Sequence, residues 1–297
     1  MMPPFLNHGD EIRIVSPSGT IDPKYIDGAT QQLVAYGFKV TEGKFTRNAY
    51  GRFGGTTDQR TEDFQNALND PEVKAILCSR GGYGVAQIID KIDFTTLKKQ
   101  LKWLIGFSDI TIFHNAITNL DIASIHAIMA KHITELPQNS EQIKTLIDLL
   151  LGKLPEYHIP AHGQNRRGEA TGKLIGGNLS VLYGMRATPY DLPFDGNILF
   201  IEEIAEKPYH IDRMMQNLRL SGALAKLSGL VVGQFSDCEE DPLMKQTIHQ
   251  IIKSAVEPYD YPVCFDFPAG HVNYNLPLIL GQKVHLQISG SEVGLNY

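Results

Sequence analysis

The sequence has few cysteines, no long apolar run and no excess of positive charge, and each shortage argues against a class of protein. The three cysteines, Cys78, Cys238 and Cys264, are too few and too widely spaced for a disulfide framework or a zinc site, and they predict reduced thiols in a cytoplasmic protein. No segment approaches the roughly 18 apolar residues of a membrane span, and the N-terminus lacks a signal-peptide pattern. A net charge of −6, without blocks of like charge, disfavours a surface for nucleic acid or anionic membranes.

The remaining composition is that of a globular protein, and 297 residues suffice for one large domain or two smaller ones. In the first half, short apolar runs alternate with helical patterns. The predicted strands are Glu11–Val15, Val73–Cys78, Trp103–Phe107 and Ile122–Ile125. This alternation predicts an α/β domain with a parallel sheet between two helical layers, flavodoxin- or Rossmann-like in class. Ligands of such sheets bind beyond the carboxyl ends of the strands.

The chain changes character after residue 155. Residues 156–170 carry Pro, His, Gly, Asn and Arg without an apolar period, and they predict a surface linker. Beyond this segment, strands and helices alternate again, and residues 278–295 alternate as an antiparallel hairpin would. The prediction is therefore two domains, residues 1–155 and a smaller α/β domain of residues 171–297 with a mixed sheet, and a cleft between them.

Ser108 is the first candidate catalytic residue. It follows the apolar run that ends at Phe107 and precedes a helical pattern, so its hydroxyl would lie beside helix N-terminal amides that can stabilise an oxyanion. Turn and capping chemistry also favours Ser and Asp at such positions, so this pattern alone leaves both interpretations open.

Two further strand ends carry polar residues. Four apolar residues lead into Glu202 and Glu203, whose side chains should point to opposite sides of the strand, with local pairing to Arg213 as the alternative role. A third apolar strand ends before Gly270 and His271. Serine, glutamate and histidine at strand ends are the parts of a serine-hydrolase triad, which geometry rather than sequence order defines.

Together these blocks resemble the LD-carboxypeptidase family, serine peptidases of bacterial murein recycling that include microcin-immunity proteins. The matching segments are Gly106–Asp109, Ile201–Glu203 with Tyr209, Asp212 and Arg213, Gly270–His271 with Asn275, Ser79–Gly84, and Val15–Gly19. They run in the same order along nearly the whole chain. The resemblance implies that Ser108 is the nucleophile, Glu202 the triad carboxylate and His271 the general base. It also implies a homodimer.

The glycine block Arg80–Gly84 follows a predicted strand and allows successive amides to converge on an anion. A phosphate or dinucleotide site is the rival interpretation, but neither glycine motif of those sites is present. We assign the oxyanion donors to the amides of Gly82 (or Gly81) and Asp109, with a tight turn as the alternative. Arg80 is a candidate for binding the substrate carboxylate, or for a structural ion pair.

The implied reaction is hydrolysis of the L,D bond that releases terminal D-alanine from a murein tetrapeptide, without a metal or organic cofactor. The family's His-Gly-Pro segment reads His126-Ala127-Ile128 here, a change we expect to affect the substrate pocket. The number of residues between Ser108 and Glu202 is too small to include the long insertion that is typical of the microcin-immunity branch. The alternatives are a peptidase or amidase acting on aminoacyl-nucleotides and a non-catalytic small-molecule-binding protein.

Overall fold

A computed structural model describes residues 1–297, and the chain divides into two compact units. The first unit comprises Met1–Leu154 and the short segment Leu276–Ile279, and the second comprises Pro155–Asn275 and Leu280–Tyr297. The chain thus returns to the first unit for four residues near its end. None of its helices has the length and apolar character needed to cross a bilayer.

The strands and helices of both units are numbered along the chain. The strands are β1 (Glu11–Val15), β2 (Lys39–Glu42), β3 (Val73–Cys78), β4 (Trp103–Gly106), β5 (Ser124–His126), β6 (Glu156–Pro160), β7 (Gly168–Asn178), β8 (Ile198–Ile204), β9 (Gly229–Ser236), β10 (Val263–Cys264), β11 (Leu278–Leu280), β12 (Lys283–Ile288) and β13 (Glu292–Asn296). The helices are α1 (Pro23–Ala35), α2 (Thr57–Asn69), α3 (Thr111–Thr118), α4 (Ala130–Glu135), α5 (Glu141–Leu150), α6 (Leu179–Gly184), α7 (Pro208–Leu220) and α8 (Ile248–Val256).

The sheet of the first unit has the strand order β11-β5-β4-β3-β1-β2. The five strands β1 to β5 pair in parallel, and all four residues of β4 are buried. A strand that is covered on both faces reads as a continuous apolar run, which is why β1, β3 and β4 stand out in the sequence. The predicted parallel sheet and α/β class are confirmed.

The sheet of the second unit is mixed, as predicted. Its order is β10-β9-β8-β7-β12-β13-β6, with parallel pairing from β7 to β10 and antiparallel pairing through β12, β13 and β6. Apolar residues of the parallel strands pack with helices α6, α7 and α8 in one buried cluster. Its members include Ile175, Leu199, Ile211, Met215, Leu230 and Ile252.

Three segments differ from the sequence-based expectations. Strand β6 and the start of β7 lie within residues 156–170, the segment predicted as a linker. Strand β6 is a short edge strand in which Tyr157 is buried between exposed neighbours, so the segment has no apolar run. The tail does form an antiparallel hairpin from β12 and β13, but Leu278–Leu280 joins the first sheet instead. All three residues of that segment are buried, so it lacks the alternation of a half-exposed strand.

Candidate active site

Ser108 lies directly after β4, in a backbone conformation that a side chain makes costly. Its φ is +66°, in the left-handed region, and a short 3-10 turn, Ser108–Ile110, begins with it and leads into α3. This conformation costs a residue with a side chain about 1 kcal/mol or more, so the surrounding structure must hold it. A strained strand-to-helix turn of this kind presents the serine hydroxyl of many hydrolases.

Gly81 packs directly against this serine. A Cβ atom built on Gly81 would lie 2.7 Å from the Cβ atom of Ser108 and 2.9 Å from its Oγ atom. Such distances are closer than real Cβ contacts, so any side chain at position 81 would displace Ser108 or its hydroxyl. The glycine block therefore belongs structurally to the serine turn.

Hydrogen bonds fix the orientation of the peptide group that joins Gly81 to Gly82. The carbonyl oxygen of Gly81 accepts from the amide of Gly19 at 3.3 Å and from Nε of Arg80 at 3.2 Å. Because a trans peptide points its N–H opposite to its C=O, the amide of Gly82 points away from these two donors. Arg80 also donates through Nη1 to the carbonyl oxygen of Thr20 at 3.1 Å.

The Asp109 side chain ties the serine turn to the neighbouring loops. It is 3% exposed, and its Oδ2 atom accepts from Oγ of Ser18 at 2.6 Å and from the amide of Val85 at 2.9 Å. Burial raises the pKa of this carboxyl above its usual value, against the opposing effect of these hydrogen bonds and of the Arg60 charge. Asp109 thus has a structural role for its side chain, apart from the oxyanion role predicted for its amide.

Arg60 also contacts these loops through hydrogen bonds, a role that the sequence analysis does not predict. Its guanidinium donates through Nη1 to the carbonyl oxygens of Pro17, at 2.9 Å, and Gly84, at 2.8 Å. Burial of the side chain, which is 2% exposed, lowers its pKa. The available signal was helical spacing, since Arg60 precedes Phe64 by one turn on the buried face of α2.

The second unit brings Glu202 and His271 together. Oε2 of Glu202 and Nδ1 of His271 lie 2.7 Å apart, and the glutamate is fully buried. Burial lowers the pKa of His271, but the hydrogen bond and charge of Glu202, with the charge of Glu203, outweigh it and raise the pKa above its usual value. The pairing of β8 with β9 has a register shift between Ile201 and Glu203, at the position of this glutamate.

The loop that carries His271 is held at several points. Gly270 has φ +132°, and a Cβ atom there would lie 3.0 Å from the Cβ atom of Glu202. The amide of Gly270 donates to Oδ1 of Asn275 at 3.0 Å, and Oγ of Ser236 donates to the carbonyl oxygen of His271 at 2.8 Å. Glycine is required for this close approach of the loop backbone to the glutamate.

Glu203 points to a different environment from Glu202. Its carboxylate accepts from Nδ2 of Asn178 at 2.8 Å, and from the amides of Ser180 at 2.6 Å and Ile204 at 2.9 Å. Burial raises its pKa above the usual value. Arg213, the alternative partner of the two glutamates, instead lies over the ring of Tyr209.

The seven predicted site residues fall into two groups. Ser108, Asp109 and the glycine-block residues lie in the first unit, and Glu202 and His271 lie in the second. Burial raises the pKa of all three free thiols, which disfavours the thiolate form in which cysteine reacts.

In a comparison with known proteins, the chain matches two family models. Residues 12–127 match the LD-carboxypeptidase N-terminal domain, and residues 171–286 match the LD-carboxypeptidase C-terminal domain. The two models together cover more than half of the chain.

Individual relatives match over nearly the whole length. A probable murein peptide carboxypeptidase of Bacillus subtilis is 31% identical, with 95% of this chain and 90% of the relative covered. The murein tetrapeptide carboxypeptidase of Pseudomonas aeruginosa is 29% identical, with coverage of 93% and 92%. A crystal structure of muramoyltetrapeptide carboxypeptidase from Oxalobacter formigenes aligns with a TM-score of 0.87 at 27% identity, over 96% of this chain and 97% of that one.

Proposed function

Because the chain belongs to the LD-carboxypeptidase family of serine-type hydrolases, we propose that it releases terminal D-alanine from murein tetrapeptides. The names of its relatives support this substrate class. The hydrogen bond between Glu202 and His271 carries the proposal, because it supplies an oriented general base.

The proposed reaction begins at Ser108. Its Oγ atom attacks the carbonyl carbon of the bond between meso-diaminopimelate and D-alanine while His271 takes the hydroxyl proton. His271 then gives this proton to the amino group of D-alanine as the bond breaks. D-Alanine departs and the tripeptide remains as an ester on the serine. Water, activated by the same histidine, hydrolyses the ester and regenerates the hydroxyl.

The hydrogen bond of His271 supports its assignment as the base. When the Nδ1 proton is donated to Glu202, the neutral ring carries its lone pair on Nε2, the nitrogen that can take a proton from a serine. The buried carboxylate then stabilises the imidazolium that forms. Such a carboxylate holds the tautomer and does not itself become protonated.

We assign the oxyanion donors to the amides of Gly82 (or Gly81) and Asp109. Two observations support this assignment: the close contact of Gly81 with Ser108, and the fixed peptide group between Gly81 and Gly82. Amides whose orientation is set before the reaction stabilise developing charge without reorganisation. Arg80 remains our candidate for binding the substrate carboxylate, with its Nε and Nη1 atoms already bonded to carbonyl oxygens.

The proposal is tested by incubating the protein with a murein tetrapeptide and measuring alanine release by mass spectrometry. We expect the tripeptide and free D-alanine as products, and a loss of several orders of magnitude in rate for Ser108→Ala. Ser289→Ala, a change in the turn between β12 and β13, is the matched control and should retain full activity.

A second substrate separates the alternatives. Hydrolysis of an aminoacyl-nucleotide but not of the tetrapeptide would replace the proposed substrate with that of the immunity proteins. Binding of either compound without turnover would support a non-catalytic binding protein. Tetrapeptide hydrolysis that survives Ser108→Ala would contradict the assignment of the nucleophile.

We also propose that the protein acts in the cytoplasm, in murein recycling, as a homodimer and without a nucleic-acid partner. The three free cysteines support a reducing compartment. The dimer and the recycling role rest on the family resemblance. Light scattering on the purified protein tests the dimer, and a monomeric mass across the working concentration range would contradict it.

A further inference from the structure

A second cluster of polar side chains lies in the second unit, outside the Glu202–His271 pair. His162, His249 and Asp266 offer potential ligand atoms that all lie within 4.8 Å of one another. Nε2 of His249 is 2.8 Å from Oδ1 of Asp266, and Nε2 of His162 is 3.7 Å from Oδ2 of the same carboxylate. The carboxylate therefore directs one oxygen towards each imidazole.

Each member of the cluster comes from a different part of the fold. His162 follows β6, His249 is the second residue of α8, and Asp266 follows β10. The start of α8 is fixed by a reciprocal capping box between Thr247 and Gln250. Asp266 adopts φ +57°, a left-handed conformation that aspartate tolerates better than most residues. Three independent elements thus converge on one point.

The two imidazole rings share an apolar support. The ring centroids of His162 and His249 lie 5.0 Å apart, and both rings pack against buried Phe265, at 6.1 Å and 5.4 Å. An apolar neighbour of this kind limits ring rotation and lowers the local dielectric, as it does around metal ligands. The side chains are 29% to 42% exposed, so the cluster is open to solvent on one side.

We propose that His162, His249 and Asp266 bind a divalent transition-metal ion, with Zn²⁺ as the best fit. In a tetrahedral zinc site, ligand distances of about 2.0–2.1 Å place neighbouring ligand atoms about 3.3 Å apart. The separations of 2.8 Å to Oδ1 and 3.7 Å to Oδ2 of Asp266 lie on either side of that value, and the three ligand atoms lie within 4.8 Å of one another. Two imidazoles and one carboxylate suit zinc, and the open side leaves a fourth position for water.

The charge of the surroundings favours a cation. His249 and Asp266 line a cavity of about 600 Å³, whose wall also carries Glu239, Glu240 and Asp241. Lys245 is the only lysine or arginine on that wall. Glu239 is already paired with Lys207, so Glu240 and Asp241 against Lys245 leave a smaller negative excess, which still raises the local concentration of divalent cations.

Metal binding exchanges two hydrogen bonds for coordination bonds. The Nε2 proton of His249 gives way to the ion, and so does its bond to Asp266. His162 accepts the amide of Gln164 at Nδ1 at 3.2 Å, and this long bond is lost because coordination through Nε2 places the proton on Nδ1. Coordination through Nε2 therefore moves the proton of each neutral imidazole to Nδ1.

The site would stabilise the segment that leads to His271. Asp266 precedes His271 by five residues, and Gln234 holds the intervening chain through bonds to the carbonyl oxygens of Ala269, at 2.9 Å, and Phe267, at 3.3 Å. An ion that binds the folded chain but not the unfolded chain raises the thermal midpoint. Zinc should therefore stabilise the protein independently of any substrate.

The test uses the untagged protein after treatment with a chelator and dialysis. Zinc binding is measured by calorimetry and by metal analysis after equilibrium dialysis, and the thermal midpoint is followed with zinc and with chelator. We expect one equivalent of zinc per chain and a higher thermal midpoint. His162→Ala, His249→Ala and Asp266→Asn should each weaken binding by more than about tenfold. His158→Ala is the matched control, because His158 is an exposed histidine paired with the single carboxylate of Glu292.

Absence of zinc binding at micromolar free metal would overturn the proposal. It would also fail if the cluster variants bound zinc as well as the native protein, or if His158→Ala removed the binding. Circular dichroism in the presence of chelator identifies a variant that does not fold. In that case His249→Gln and the remaining two variants decide the question.

Discussion

The serine turn of the first unit and the glutamate–histidine pair of the second are held in place by different means. Ser108 is placed by its backbone, through a left-handed φ and the contact of Gly81. His271 is placed by its side chain, through the buried carboxylate of Glu202. A substitution that changes side-chain shape should therefore lower activity most at the Ser108 turn, and one that changes charge should lower it most at the Glu202–His271 pair.

Among changes that keep the nucleophile, removal of the Glu202 charge should have the largest effect on kcat. Glu202→Gln keeps the shape of the side chain but offers His271 an amide, which no longer fixes the tautomer or stabilises the imidazolium. In our proposed mechanism kcat should fall by about 10⁴-fold, the effect known for buried triad carboxylates. Steady-state kinetics with a murein tetrapeptide measures it.

The neighbouring carboxylate provides the control for this charge. Glu203→Gln alters the bonds to Asn178 and to two backbone amides, so it should lower the free energy of unfolding. The loss of kcat should be much smaller than in Glu202→Gln. Equal losses of kcat in the two variants would contradict a specific role for Glu202.

A change of shape at Gly81 should come next. The added methyl of Gly81→Ala would lie 2.7 Å from the Cβ atom of Ser108. A displacement of the nucleophile by up to about 1 Å costs about 10²-fold in rate, so kcat should fall by that amount. Gly184→Ala is the control, because a Cβ atom at that position meets nothing within 4 Å. Full activity of Gly81→Ala would show that the turn does not constrain the serine.

Sequence patterns predicted more of the first site's chemistry than of its geometry. Buried parallel strands such as β4 are continuous apolar runs, so the strand ends and the polar residues beyond them could be found. The left-handed φ of Ser108 could not be found, because a serine leaves no glycine-like mark in the sequence. The role of Arg60 was missed for a related reason, since its partners are backbone carbonyls, which no residue type identifies.

The second unit was harder to predict where its contacts are distant in sequence. Strand β6 pairs with β13, more than a hundred residues later, so its short alternation alone does not distinguish an edge strand from a linker. His162, His249 and Asp266 likewise come from three segments with no common spacing, whereas known zinc motifs are recognised by short spacings. Glu202 and His271 were identified because each follows an apolar run in the sequence, although in the structure Glu202 lies inside β8 and His271 in the loop after β10.

The smallest effect should be on stability, through the pKa of His271. Burial lowers this pKa, and the stronger influence of Glu202 raises it above the usual 6.5. Because the folded pKa lies above the unfolded one, the pair stabilises the fold fully below about pH 6.5 and loses this effect as the pH rises through the folded pKa. Urea unfolding of the native protein and of His271→Ala at several pH values measures the difference.

Activity should depend on pH in the opposite direction. The base must be neutral, so kcat/KM should rise as the pH passes the same raised pKa. In Glu202→Gln the stability difference should no longer fall with rising pH, because the burial that lowers the pKa of His271 is then no longer outweighed by Glu202. A stability difference between native protein and His271→Ala that grows with pH would contradict the assigned direction.

The most direct test of the serine mechanism is to identify the covalent intermediate. The protein is mixed with a murein tetrapeptide, quenched with acid during the first turnovers, digested and analysed by mass spectrometry. We expect a tripeptide ester on the fragment that contains Ser108, and none in Ser108→Ala. An ester on another residue, or alanine release by Ser108→Ala at the native rate, would contradict the proposed mechanism.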